Sequence, residues 1–178
     1  MEFIKADISL LDGIMKVVND GRKSLKAMGI DQWQGAYPDD KQIIEDIKNE
    51  SSYVVIDEKQ IVRATVMLTC DTQDYYEKIE GEWVCNLPNK KKYLTIHRLA
   101  VSSCSLKQGI ASRIIDEAEK IAYEKDCKSI RVDTHPDNVP MQAYLNKHGF
   151  TLCGNVKLSD PETPVKHRLA FEKLVTNI

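Results

Sequence analysis

The sequence predicts an α/β protein built on a mixed, mostly antiparallel sheet with helices on both faces. Three observations predict it. Some segments alternate apolar and polar residues, while others repeat apolar residues every three or four positions, so both strands and helices occur. The two kinds interleave along the chain, which is the mark of an α/β fold. In the middle, however, two strand-like segments follow each other across a short polar turn. That hairpin excludes a purely parallel doubly wound sheet.

Each element has its own signal. Residues 3–8 read as a first strand. Residues 10–28 read as a helix, because Leu10, Leu11, Ile14, Val17, Val18 and Leu25 fall at helical spacing and Gly29 stops it. Residues 39–49 are a second helix, with Ile43, Ile44 and Ile47 on one face and Pro38 near its start. Residues 53–56 and 61–69 are the hairpin strands. A long polar connection spans 70–92, and 93–101 is a strongly apolar strand. Residues 110–124 form the clearest helix, burying Ile110, Ile114, Ile115, Ala118, Ile121 and Ala122. Residues 130–134 alternate as a strand, 139–148 are a short helix ended by Gly149, and 150–153 and 168–174 close the sheet.

Bulk properties narrow the function. The chain has 178 residues, near the common domain size, and shows no repeat or linker, so 1–178 is read as one domain. Its net charge is −2, which leaves no basic field to hold nucleic acid. No apolar run approaches the roughly 20 residues needed to cross a bilayer. The acidic, polar start of the chain is not a signal peptide, so a cytoplasmic location is expected. Cys70, Cys85, Cys104, Cys127 and Cys153 are scattered, form no Cys-x-x-Cys pair and lie near no His cluster, so no metal site is expected. A homodimer is compatible with the sequence.

The chemistry concentrates in one segment. Ile96-His97-Arg98-Leu99-Ala100-Val101 ends a strand, and Lys107-Gln108-Gly109-Ile110-Ala111-Ser112 opens a helix. The first amides of a helix lack intrahelical partners and carry partial positive charge. Gly109 permits close backbone approach, Ala111 and Ser112 are small, and Lys107 adds charge at the rim. Such a turn suits a pyrophosphate. A lone glycine before a helix is more often an ordinary turn, so context must decide.

That context is a resemblance. The segment resembles the central motif of the GCN5-related (GNAT) N-acetyltransferases, in which a Leu-Ala-Val-like strand end leads to a Gln/Arg-x-x-Gly-x-Gly/Ala loop and a helix. Gly109-Ile110-Ala111 fits the glycine and the small residue, while Leu106 stands where the family has Gln or Arg. Residues 131–138, and then Lys147-His148-Gly149-Phe150, resemble the family's next strand, Asn-bearing helix start and closing Gly-Phe. The resemblance implies the acyl-CoA N-acyltransferase fold and acetyl-CoA as co-substrate. It implies pantetheine pairing by Leu99, Ala100 and Val101, and pyrophosphate binding by Lys107, Gln108, Gly109, Ile110, Ala111 and Ser112. It also implies a bond from Asn138 to the pantetheine arm, and direct transfer to an acceptor amine.

The acceptor side is read residue by residue. His97 shares a strand face with Thr95 and, by alternation, with Leu99 and Val101. It is either a base or relay for the amine, or a structural histidine. In the first case the pH profile of kcat/KM has an acidic limb that His97→Ala removes. Tyr144 is the candidate acid for the leaving thiolate, although the family's Tyr falls at the position of Leu145; otherwise it packs under the cofactor. Trp33 and Tyr37 form either an aromatic wall for the acceptor or a pinned loop. Asp71, Asp74, Glu77, Glu80 and Glu82 would attract an ammonium or form a solvated loop, and Lys90-Lys91-Lys92 then reverse the sign. Cys104 is expected to be a buried or half-buried thiol. The acceptor expected is a primary amine of a small molecule. The alternatives are a peptide or protein acceptor, or a non-catalytic CoA-binding module.

Overall fold

The computed structural model describes residues 1–85, 92–158 and 167–176. Lys90 and Lys91 of the basic run lie outside the described residues.

The chain alternates between sheet and helix as its periodicities predict. Its strands are β1 (Glu2–Lys5), β2 (Ser52–Ile56), β3 (Val62–Thr69), β4 (Glu80–Gly81), β5 (Tyr93–Val101), β6 (Ser129–Thr134), β7 (Thr151–Lys157) and β8 (His167–Leu174). Its helices are α1 (Leu11–Ala27), α2 (Asp40–Lys48), α3 (Ile110–Glu124) and α4 (Val139–Lys147). The strands form one sheet in the order β1-β2-β3-β5-β6-β8-β7-β4. Its pairings are antiparallel except β5 with β6, so the sheet is mixed and mostly antiparallel.

Caps fix where the short helices begin. The Asp39 carboxylate accepts from the Gln42 amide at 2.9 Å at the start of α2. The Asn138 side chain accepts from the Met141 amide at 3.2 Å at the start of α4. The polar connection after β3 is not shapeless. Tyr75, Tyr76, Ile79 and Trp83 turn inward onto Tyr93, Val156 and Ala170, and β4 pairs with β7.

Three clusters cover the sheet. Val55, Val66, Leu94, Ile96, Ile130, Val132 and Phe171 meet Ile110, Ile114, Ile115 and Ala118 of α3. On the opposite face Ile14, Val17 and Val18 of α1 and Ile43 of α2 pack on Val54, Ile56, Val62 and Ala100. The tyrosine-rich segment covers the rest of that second face. Burying each large aliphatic side chain is worth roughly 1.5–3 kcal/mol. Residues 93–96 of β5 are buried, and this anchored half leads into an irregularity.

That irregularity creates the site. Thr65 pairs with Ala100 and Met67 with His97, so one residue of β3 faces two of β5. This is a β-bulge, and Arg98 within it has φ +51, a left-handed conformation costing a non-glycine residue roughly 1–2 kcal/mol. The bulge flips the parity of the strand. Leu94 and Ile96 face α3, and so do Leu99 and Val101 beyond the bulge, whereas Ala100 faces α1. His97 therefore shares a face with Thr95 but not with Leu99 or Val101. The expectation of a shared face fails because strict alternation does not survive an inserted residue.

Candidate active site

β5 and β6 part where the bulge begins. Their parallel register ends at Ile96 opposite Val132, after which β6 continues against β8 through Thr134 and Leu169. Among the described residues no strand pairs with that edge of 97–101. The Ser102 amide donates to the Arg63 carbonyl at 2.8 Å, toward β3. By alternation the Ala100 amide also points to β3, and the Leu99 and Val101 amides point into the fork. Alternation thus turns these two amides away from β3 and toward the cavity.

α3 begins beside the fork. Gly109 is its N-cap at φ +74, and no side chain caps the helix. A Cβ at Gly109 would meet nothing within 4 Å, so the space before the first-turn amides is open. Lys107 is also left-handed, with φ +62, and Lys107, Gln108 and Gly109 are exposed. The Ile110 side chain is buried in the core, so only its amide faces outward, and Ala111 and Ser112 are half-buried. Leu106, at the family's Gln/Arg position, is 58% exposed and lines the cavity beside the loop.

A cavity of about 1260 Å³ occupies the fork. Small-molecule sites usually measure roughly 300–1,000 Å³. This one has room for the reacting end of a cofactor and an acceptor together. Leu99, Ala100 and Val101 line it from β5, Asn138 and Tyr144 from α4, and Trp33 and Tyr37 from the loop after α1.

The predicted side chains meet there with different freedoms. His97 lines the cavity, and burial pushes its pKa down to about 3, with the Arg98 charge adding to the fall. The Tyr144 hydroxyl donates to the Ala111 carbonyl at 2.6 Å, inside the first turn of α3, and burial raises its pKa. Its ring lies 4.6 Å from that of His148, which in turn bonds the Ser112 hydroxyl at 3.1 Å. Trp33 packs against Gly21 and the α1 core, so it is at once a pinned residue and a cavity wall. Tyr37 is 42% exposed and its hydroxyl accepts from Arg98.

One expectation is corrected, and one open choice is narrowed. Cys104 is exposed, not buried, because its 3-10 turn runs along the surface, where its thiol contacts Arg63 at 3.1 Å. The acidic residues of 71–82 are all exposed and none lines the cavity. The aromatics between them claim the inward positions, so those carboxylates remain solvated.

Sequence reasoning missed two features. Arg98 makes a two-point ion pair with Asp46 of α2, at 2.8 Å and 2.7 Å. Burial still holds the Asp46 carboxyl above its usual range, so the pair restrains the bulge more than it stabilises the fold. Asp133 of β6 accepts hydroxyls from Tyr75 and Tyr76 and also lines the cavity. Alternation along β6 could have flagged Asp133, since Ile130 and Val132 take the other face. Nothing local marks the Arg98 bulge.

A forked sheet whose free amides lead to an uncapped, glycine-opened helix defines an acyltransferase that binds an acyl-CoA. The chain belongs to the acetyltransferase (GNAT) family, whose sequence profile matches residues 21–150. It is an N-acetyltransferase, and its co-substrate is acetyl-CoA. The open space before Gly109 and the unpaired Leu99 and Val101 amides fit that molecule. A GNAT-family acetyltransferase from Streptococcus agalactiae is 30% identical, with a TM-score of 0.85 over 99% of this chain and 96% of that one. The PaiA N-acetyltransferase of Thermoplasma acidophilum, solved with coenzyme A, is 17% identical, with a TM-score of 0.67 over 97% and 98%. The NatB acetyltransferase complex bound to CoA and MES is 13% identical, with a TM-score of 0.71 over 99% and 100%. The last two show the fold alone. No curated protein sequence matches the chain. Among the described residues no helix is long and apolar enough to cross a membrane, and no cluster could hold a metal ion.

Proposed function

We propose that this chain transfers the acetyl group of acetyl-CoA directly to a primary amine of a small molecule, in the cytoplasm. The observation that carries this reading is the anchored flank of the half-open cavity of about 1260 Å³ at the fork. Its flanks are anchored. Trp33 is packed on α1, Arg22 bonds the Ala36 and Pro38 carbonyls, and Tyr75 is tied to Asp133. Anchored flanks favour a bounded small acceptor over a threaded peptide.

The chain's own groups then divide the task. The first-turn amides of α3 and the exposed Lys107 would hold the pyrophosphate, and Asn138, whose oxygen caps α4, would offer its side-chain N–H to the pantetheine arm. An amide of Leu99 or Val101 on the free edge polarises the thioester carbonyl. The bound co-substrate supplies the acetyl thioester that the amine attacks.

His97 is a neutral relay in this scheme. An alkylammonium titrates near 10.4. Passing its proton to a group of pKa about 3 is uphill by about 7 units, or about 10 kcal/mol. Releasing it to bulk water at pH 7 costs only about 5 kcal/mol. His97 therefore orients the acceptor or a water but stores no proton. Tyr144, committed to Ala111, braces the cofactor loop, and the thiolate takes its proton from water.

The test is a thiol-release screen of amines with acetyl-CoA. The reading predicts turnover with at least one small primary amine. Thiol release only with peptides, or CoA binding without any turnover, would overturn it.

A further inference from the structure

The fork sets one more titratable side chain opposite His97. In the register that pairs Ile96 with Val132, the next positions are His97 and Asp133. Val132 packs on the α3 side, so Asp133 takes the other face, the one that carries Tyr93 and His97. It stands where the two strands separate, and it lines the same cavity as Leu99 and Val101. Its Oδ1 accepts the Tyr76 hydroxyl at 2.8 Å and the Tyr75 hydroxyl at 3.3 Å. Both tyrosines bind the same oxygen, which fixes the carboxylate plane and leaves Oδ2 for a ligand.

The other carboxylates lining the cavity are otherwise engaged or lie at its rim. Asp46 is held by Arg98. Asp20 accepts from Ser102 and Ser103. Asp31 and Glu45 are exposed. Asp133 is half-buried and, among the described residues, is in no ion pair. The charged and titratable groups around it are Tyr75 and Tyr76, Tyr37 of the loop after α1, His97 on β5 and Arg168 on β8.

Resting on the acetyl-transfer reading above, we propose that Asp133 receives the acceptor's ammonium group and takes its proton. Substrates are thus amines that are cationic at neutral pH, carried on an apolar or aromatic body that Tyr75 and Trp33 can face. The ammonium N–H bond breaks to Oδ2, leaving a neutral nitrogen. Its lone pair forms the C–N bond to the acetyl carbon. The C–S bond breaks and its electron pair leaves on sulfur. The nitrogen's surplus proton passes through water to the thiolate, and Asp133 returns its own proton to solvent. The sum is ammonium plus thioester giving amide, thiol and one proton. Burial raises the pKa of this carboxyl, and the Tyr76 hydroxyl, Arg168 and the Tyr75 hydroxyl offset part of the rise.

The test is Asp133→Asn, which preserves shape and still accepts the tyrosine hydroxyls. The probes are benzylamine, cationic at pH 7, and trifluoroethylamine, largely neutral there. With saturating acetyl-CoA, kcat/KM for benzylamine falls roughly 100- to 10,000-fold, the usual loss on removing a general base. The trifluoroethylamine rate changes far less. Equal losses for both amines, or none, overturn the assignment but leave acetyl transfer standing. If Asp133→Asn does not fold, Asp133→Glu, which displaces the carboxylate by one methylene, produces the same split. Calorimetry of benzylamine binding reads Asp133 without turnover: affinity falls at least tenfold in the variant, and unchanged affinity overturns the assignment. A wild type that releases no thiol with any small amine sinks the small-amine reading itself, independently of that titration.

Discussion

Gly109→Glu separates the two tasks of the α3 N-terminus. Gly109 sits at φ +74, where a residue with a Cβ costs roughly 1–2 kcal/mol. No atom lies within 4 Å of the added Cβ, so strain is the main cost in the free protein. For a chain of this size each kcal/mol shifts Tm by roughly 2–4 °C, so the variant melts about 2–8 °C lower. The ligand effect is larger. Coenzyme A at 100 times its Kd adds about 2.7 kcal/mol to wild type, or about 5–11 °C. In the variant the carboxylate projects into the open space before the first-turn amides and sets negative charge against the pyrophosphate. Thermal melts with and without coenzyme A read both effects. The free variant stays folded, and its coenzyme A shift vanishes. A folded variant that keeps a wild-type shift would place the pyrophosphate elsewhere.

Three further predictions follow from the ion pair and the buried histidine. Arg98→Ala leaves Asp46 buried and unpaired, which costs about 3–5 kcal/mol, so Tm falls by roughly 6–20 °C in calorimetry; a drop below about 2 °C would mean that water reaches Asp46. His97→Ala costs the worth of a hydrogen bond, about 1–1.5 kcal/mol, or roughly 5- to 13-fold in kcat/KM. The shape of the pH profile between pH 5 and 9 stays that of wild type. No acidic limb from His97 is expected in that range, because burial pushes its pKa down to about 3. The same depression makes a stability prediction. His97 is protonated more readily unfolded (near 6.5) than folded (about 3), so its contribution is complete above pH 6.5 and is lost as pH falls toward 3. Between pH 6.5 and 5 that loss reaches about 2 kcal/mol in wild type and is missing in His97→Ala, read from denaturant melts.

The sequence made most of the fold legible because its elements are strongly periodic. α3 spans Ile110–Glu124 and β5 spans Tyr93–Val101, as the apolar spacing predicts. The glycine-opened start of α3 was legible too, because its signal is local: a strand end, a left-handed glycine and small residues. The acceptor side was not. The parity of His97 depends on a bulge set by pairing with β3, and bulges carry no local signature at Arg98. Asp133 gains meaning only from its register against β5 and from two tyrosines 57 and 58 residues earlier in the chain. Composition alone left two readings of 71–82, an ammonium attractor or a solvated loop, and the exposure of its carboxylates fits the second. Charge was read from composition, while packing of Tyr75, Tyr76 and Trp83 decided which side chains face inward.

Amide hydrogen exchange with and without coenzyme A tests the cofactor site most directly. The geometry predicts new protection at the Leu99 and Val101 amides and across residues 108–112, with little change along β1 and β2. Binding of coenzyme A that leaves those amides exchanging at their free rates would contradict the account.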